Sequence, residues 1–187
     1  GILIPMKADH CLNQKIDGFE VTHLLGGQCL VSRDPDGLFS TVLGSCVCAC
    51  IYDPAKGVGG MNHFVLPHGG EDAPSAQQYR YGDIAMASLV AGLCRHGAQR
   101  ERLVAKLFGG RLRDDSGNDA GALNAEFAKT FLRSNGIKLI EARLGGHVAR
   151  WVTFHPASGR TTVRETADFA VLSGLSRTAD QPSRRAG

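Results

Sequence analysis

A thiol and an imidazole on one face of a β-hairpin are the minimum for covalent acyl chemistry, and this chain offers such a pair in Cys46 and His63. Two apolar runs, residues 39–52 and 58–66, flank Asp53-Pro-Ala-Lys-Gly57. Asp at the first turn position and Pro at the second suit a type I turn, which makes the segment a hairpin. If residues 53–56 form the turn, Tyr52 faces Gly57 and the register sets Cys50 against Gly59, Cys48 against Met61 and Cys46 against His63. Directly paired side chains have Cβ atoms ~5 Å apart, close enough for a hydrogen bond from thiol to imidazole. The imidazole takes the thiol proton, the thiolate attacks a carbonyl, and water hydrolyses the thioester. A thiolate–imidazolium pair would also lower the thiol pKa. Gly44 and Ser45, just before the cysteine, are the oxyanion candidates, since a glycine there lets the backbone turn and aim N–H groups at the developing charge.

Spacing alone leaves other readings open. A bulge at Gly59-Gly60 would slip the register by one and send His63 to the other face. Cys48 and Cys50 read most simply as small core hydrophobes, and Cys46 taken alone has the same bland reading. Zinc fits poorly: side chains at i, i+2 and i+4 of a strand span ~13 Å, too far for three sulfurs to share one ion. No metal or cofactor is called for. His10, His23, His68, His96, His147 and His155 have no comparable partner, and the glycine pairs 109-110 and 145-146 read first as turns and second as oxyanion or substrate loops.

Other elements must position this hairpin. Strands are expected over residues 20–25, 29–32, 103–108, 138–142, 150–155 and 160–165, with Asp34-Pro-Asp-Gly37 as a turn. Helices are expected over 79–96, with Ile84, Ala85, Ser88, Leu89, Gly92 and Leu93 on one face, and over 120–134, with Leu123, Phe127 and Phe131 in register. The Cys-rich strand is apolar or small on both faces, so it is expected to be covered on both sides. About seven strands and two helices point to an α+β domain, the helices packed on a mixed sheet or a pair of sheets. The domain spans residues 20–172, after a lead-in over 1–19 and before a polar, Arg-rich tail over 173–187 expected to be disordered.

A composition of 43% hydrophobic and 21% charged residues is that of a soluble globular protein, and 187 residues suffice for one core. A net charge of +3, with basic residues scattered, gives no nucleic-acid footprint. No apolar run approaches the ~18 residues of a membrane span, and Gly1-Ile-Leu-Ile-Pro5 is too brief for a signal-peptide core. Six cysteines without framework spacing indicate reduced thiols and a cytoplasmic setting.

The run Thr-Val-Leu-Gly-Ser-Cys-Val-Cys-Ala-Cys-Ile-Tyr-Asp-Pro (41–54) and then Gly-Gly-Met-Asn-His-Phe-Val-Leu-Pro (59–67) resembles the CheD family signature. So do Arg-Tyr-Gly-Asp-Ile-Ala-Met (80–86), Ala-Lys-Leu-Phe-Gly-Gly (105–110), Gly121-Ala-Leu-Asn124, Leu144-Gly-Gly146 and the segment 152–160. The resemblance implies a layered α/β/β sandwich related to cysteine-hydrolase toxins. It also implies a bacterial enzyme of chemotaxis that deamidates glutamines of methyl-accepting chemotaxis receptors to glutamates. Its nucleophile falls on Cys46 and its histidine on His63. Its third catalytic residue, a threonine six positions before the cysteine, falls on Ser40, with Thr41 as the alternative. Arg143 stands where relatives often carry an acidic residue. Some relatives bind a CheC-type phosphatase, which can occupy the active site. A non-catalytic binding module for receptors or that phosphatase is the competing function, and a general cysteine protease, sharing the same acyl chemistry, ranks behind it.

Overall fold

The computed structural model describes residues 12–69, 74–114, 116, 118–168 and 170–172. The expected tail over 173–187, residues 1–11 of the lead-in and residues 70–73 lie outside the described residues. In chain order the elements are β1 (Leu12–Ile16), β2 (Phe19–His23), β3 (Cys29–Ser32), β4 (Gly37–Leu43), β5 (Val47–Asp53) and β6 (Val58–Asn62). Then come α1 (Gly82–Arg95), β7 (Val104–Gly109), α2 (Ala120–Ser134), β8 (Lys138–Leu144), β9 (Ala149–His155) and β10 (Arg160–Thr166). The strands make two five-stranded sheets, ordered β1-β2-β4-β9-β10 and β3-β6-β5-β7-β8, each containing one parallel pair. Among the described residues no helix is long and apolar enough to cross a membrane.

The doubly apolar β5 explains the layering. All seven of its residues are buried. Val47, Ala49 and Ile51 join Leu89, Leu93, Ala128 and Leu132 in a core beneath the two helices. Cys48, Cys50 and Tyr52 join Phe39, Leu43, Phe108 and Phe154 in a second core between the sheets. Each fully buried residue of this size contributes roughly 1.5–3 kcal/mol by leaving water, so β5 cannot be shifted without loss on both sides. The result is an α+β fold in three layers: helices, sheet, sheet. Cys48 and Cys50 are core residues with no solvent exposure.

Several elements depart from expectation. The apolar run over 39–52 is two strands, β4 in one sheet and β5 in the other, joined by Gly44, Ser45 and Cys46. The described end of the lead-in forms β1, paired with β2 as a sheet edge. α1 begins at Gly82, because Ser75–Arg80 is a 3₁₀ turn and Tyr81 is extended and bridged to Leu66. Its buried face includes Met86 and Val90 in place of Ile84 and Ser88. α2 has the expected bounds, but small residues Gly121, Ala125 and Ala128 with Asn124 and Leu132 form its buried stripe, while Leu123 is exposed. That stripe lets the helix lie close to the end of β7: a side chain at Gly121 would run into the Arg111 carbonyl.

Candidate active site

The hairpin register decides which residues meet. β5 and β6 pair Asp53 with Val58 and Cys50 with Met61, and a further bridge pairs Val47 with Phe64. The turn is therefore residues 54–57, one residue later than expected, with Gly57 at φ 62° and its N–H donating to the Asp53 carbonyl. The pairing is offset by two residues from the expected one, which preserves the face. No bulge forms at Gly59-Gly60, since the same register holds on both sides of them. The Cβ that either glycine lacks would collide with Pro156 or with Leu89 of α1. The expected direct pair of Cys46 and His63 is thus replaced by diagonal neighbours across the Val47–Phe64 bridge. Such neighbours lie roughly 7 Å apart at their backbones, within reach of an imidazole.

The imidazole is oriented from the other sheet. Thr41 Oγ1, on β4, lies 2.7 Å from His63 Nδ1 and donates its proton to the Leu24 carbonyl at 2.8 Å. A hydroxyl has one proton and the carbonyl can only accept it, so Oγ1 accepts from Nδ1–H. This fixes the tautomer and leaves the Nε2 lone pair free as a base. Nε2 faces Gly26, where even a Cβ would stand 3.8 Å away. Ser40 is on the opposite face of β4, where its Oγ accepts from Trp151 Nε1 at 2.6 Å. The expected place of Ser40 beside the imidazole is corrected to Thr41: β4 alternates, and Phe39, Thr41 and Leu43 point between the sheets.

The segment from Gly44 to Cys46 is held by its carbonyls. Gly44 O accepts from Arg111 N at 2.9 Å, Ser45 O from Asn124 Nδ2 at 3.1 Å, and Cys46 O from Gly110 N at 2.9 Å. In a trans peptide the N–H points opposite the preceding carbonyl, so the Ser45 N–H is turned away from Arg111 and the Cys46 N–H away from Asn124 of α2. Ser45 is exposed and Cys46 half-buried. Asn124 Nδ2 also donates to Val65 O at 2.8 Å, stitching the cysteine segment to the one that follows His63. Gly109 lies so close under Cys46 that a side chain there would enter its carbonyl. The glycine pairs are thus buttresses: Gly145 N donates to Gly109 O, and Leu112 N to Gly146 O. Arg143 pairs with Glu165 at 3.6 Å.

Burial dominates the electrostatics. It pushes the Cys46 thiol up, while the Arg80 guanidinium and the residue's own amide pull it back. Burial holds His63 down to about 4, with His23 and Arg80 adding repulsion of its protonated form. The resting pair is therefore a neutral thiol and a neutral imidazole, not the expected ion pair, because burial penalises both charged forms. Such a pair can transfer its proton as attack occurs and so acylate on sulfur. Arg80, Asn124 and Gly26 were not singled out by the sequence; Arg80 and Asn124 lie within the longer motifs 80–86 and 121–124, Gly26 within none, and Thr41 stood as the alternative to Ser40.

Residues 65–165 match the family model described as CheD chemotactic sensory transduction. The chain is 48% identical over 145 residues to the probable chemoreceptor glutamine deamidase CheD of Caulobacter sp. (strain K31), covering 78% of this chain and 77% of that one. It is 46% identical over 140 residues to the protein of the same name in Rhizobium meliloti (strain 1021), covering 74% and 76%. To the probable chemoreceptor glutamine deamidase CheD 1 of Ruegeria sp. (strain TM1040) it is 44% identical over 168 residues, covering 87% and 88%. With a tautomer-fixed histidine, a half-buried cysteine and relatives this similar over most of its length, the chain belongs to the CheD family.

Proposed function

We propose that this protein is a glutamine deamidase of chemotaxis, converting particular glutamines of methyl-accepting chemotaxis receptors to glutamate with release of ammonia. The observation that carries the reading is the bond from His63 Nδ1 to a Thr41 hydroxyl already committed to Leu24, which leaves Nε2 unprotonated and able to serve as a base for Cys46, its diagonal neighbour in the hairpin. The names of the relatives supply the substrate.

Cys46 Sγ attacks the side-chain amide carbon as Nε2 takes its proton. The amide oxygen becomes an oxyanion facing the Ser45 and Cys46 N–H groups, with Gly44 giving the turn its freedom. Collapse breaks the C–N bond, and the imidazolium passes its proton to nitrogen, which leaves as ammonia. Water then attacks the thioester with Nε2 as base, and the thiol leaves with glutamate formed. Thr41 orients the imidazole throughout, and Ser40 has no part in it. No step calls for a metal or cofactor. The protein acts from the cytoplasm on the cytoplasmic part of the receptor. A CheC-type phosphatase, if it seats in the same cleft, competes with the receptor and slows deamidation.

The test is intact mass spectrometry of a receptor cytoplasmic fragment after incubation with the wild type and with Cys46→Ala. A gain of about one mass unit per site, with wild type only, supports the reading. No gain with folded wild type rejects it in favour of a binding module, and a cleaved chain rejects it in favour of a protease.

A further inference from the structure

The β5–β6 ladder ends at the pair Val47 and Phe64, which exchange both backbone bonds at 3.2 and 3.0 Å. In a continued ladder Ser45 and Leu66 would exchange the next two. Instead Leu66 N donates to Arg80 O at 3.3 Å, and Leu66 O accepts from Gly82 N at 2.8 Å. On the other strand, Gly44 O and Cys46 O accept from Arg111 N and Gly110 N. The two segments are thus drawn toward different neighbours, and among the described residues no backbone bond joins 44–46 to 65–67. That parting leaves Cys46 half-buried next to a strand whose seven residues are all buried.

One side chain bridges the gap. Asn124 Nδ2 donates to Ser45 O at 3.1 Å and to Val65 O at 2.8 Å, so each amide hydrogen holds one of the parted segments. Ser45 O belongs to the peptide unit that carries the Cys46 N–H, and Val65 lies two residues after His63. Asn124 is fully buried, and its Oδ1 has no donor among the described residues. An unpaired buried acceptor costs stability, and a side chain kept only for packing would not carry one. α2 is seated to deliver this amide. Asp119 caps the helix by accepting from Gly121 N at 2.8 Å, and Gly121 lets it lie against the Gly110 and Arg111 carbonyls. The N–H groups of those same two residues hold the cysteine segment.

We propose that Asn124 is a positioning residue that sets Cys46 against His63 across the point where their strands separate. Its two donors fix the spacing of the segments and the plane of the Ser45–Cys46 peptide, and it takes no part in proton transfer. This rests on the reading of Cys46 and His63 as nucleophile and base, yet its main test needs no receptor. In the full-length protein, alkylation of Cys46 by iodoacetamide is timed at neutral pH, with peptide mass mapping to separate it from the other cysteines. The thiol gives up its proton in that reaction, so an aligned base speeds it. Wild type, Asn124→Ala, His63→Asn and the double variant form a cycle. Asn124→Ala should slow Cys46 about tenfold when His63 is present, and change it less than about twofold when His63 is replaced. Asn124→Leu, which fills much of the same space without donors, should be slowed like Asn124→Ala. Circular dichroism and a thermal melt establish that each variant is folded.

An equal effect of Asn124→Ala in both backgrounds overturns the proposal, because the side chain then changes the surroundings of the thiol and not its alignment. A wild-type rate in folded Asn124→Leu also overturns it, since packing alone would suffice. So does a wild-type rate in His63→Asn, which leaves no base to align. With the receptor fragment, Asn124→Ala should lower kcat about tenfold and leave KM unchanged. If the cycle shows the coupling but wild type does not deamidate the fragment, the function falls while this inference stands.

Discussion

The two ends of the β5–β6 hairpin treat buried ionisable groups in opposite ways. At the turn end, Asp53 has no solvent exposure, yet its carboxylate receives the N–H of Ala55 at 3.0 Å, that of Gln99 at 2.8 Å, and Arg102 through Nε at 3.1 Å and Nη2 at 2.9 Å. Those donors hold it down to about 2, so it is charged at neutral pH. At the open end, half-buried Cys46 and buried His63 lack such a set of donors, and burial drives both toward their neutral forms. The first end spends its buried charge on fixing the loop before β7 to the hairpin turn. The second keeps its groups neutral until a substrate arrives, and a group that gains partners only during reaction is a reactive one.

The largest expected contrast comes from Cys46→Ala. Deamidation of a receptor fragment should fall at least about a thousandfold, while the urea midpoint stays within the scatter of wild type. At the other end, Asp53→Ala should do the reverse. It strands Arg102 and two backbone donors, at a cost of roughly 3–4 kcal/mol in equilibrium unfolding, with activity per folded molecule kept. Equal effects on stability and activity in either variant would erase the distinction between the ends.

Acid should separate them in a single titration. Below pH 6.5 an unfolded chain protonates His63, whereas the folded chain refuses the proton until about pH 4, so stability falls through that window as pH drops. The loss should total roughly 3 kcal/mol. Asp53 contributes a second loss lower down, between its ordinary 3.8 and about 2, where the unfolded carboxylate is protonated and the folded one is not. Urea midpoints against pH should lose the first slope in His63→Asn and the second in Asp53→Asn. The acidic limb of kcat/KM should likewise lie well below 6.5. Smallest are the changes on β4. Thr41→Ala should slow deamidation on the order of tenfold to a hundredfold, with Thr41→Ser near wild type. Ser40→Ala should cost about 1 kcal/mol of stability through Trp151 and leave the rate alone.

Local pattern reached a good part of this architecture. The bounds of β3 and α2 coincide with those expected, and the covered β5 was readable from its small and apolar side chains on both faces. What escaped was set by contacts between elements. Nothing in residues 39–52 marks the break at Gly44 as a passage to another sheet, because both strands are apolar on their inward faces. For the same reason alternation within β4 separates Ser40 from Thr41 without saying which meets the histidine; that follows from sheet-on-sheet packing. The hairpin offset arose from a turn ending on Gly57 in a left-handed conformation, a choice that Asp53-Pro54 leaves undetermined.

Of the links between the sheets, the three residues from Gly44 to Cys46 are the shortest, and the proposed nucleophile is the last of them. His63, the proposed base, follows a strand of one sheet, and the hydroxyl bonded to it belongs to the other. A chain whose strands have formed but whose sheets have not yet docked carries the same cysteine without an aligned imidazole. Catalytic competence should therefore appear late in maturation, together with side-chain packing and after most secondary structure. Newly made or partly loosened molecules would then pose little hazard to exposed glutamines elsewhere in the cell.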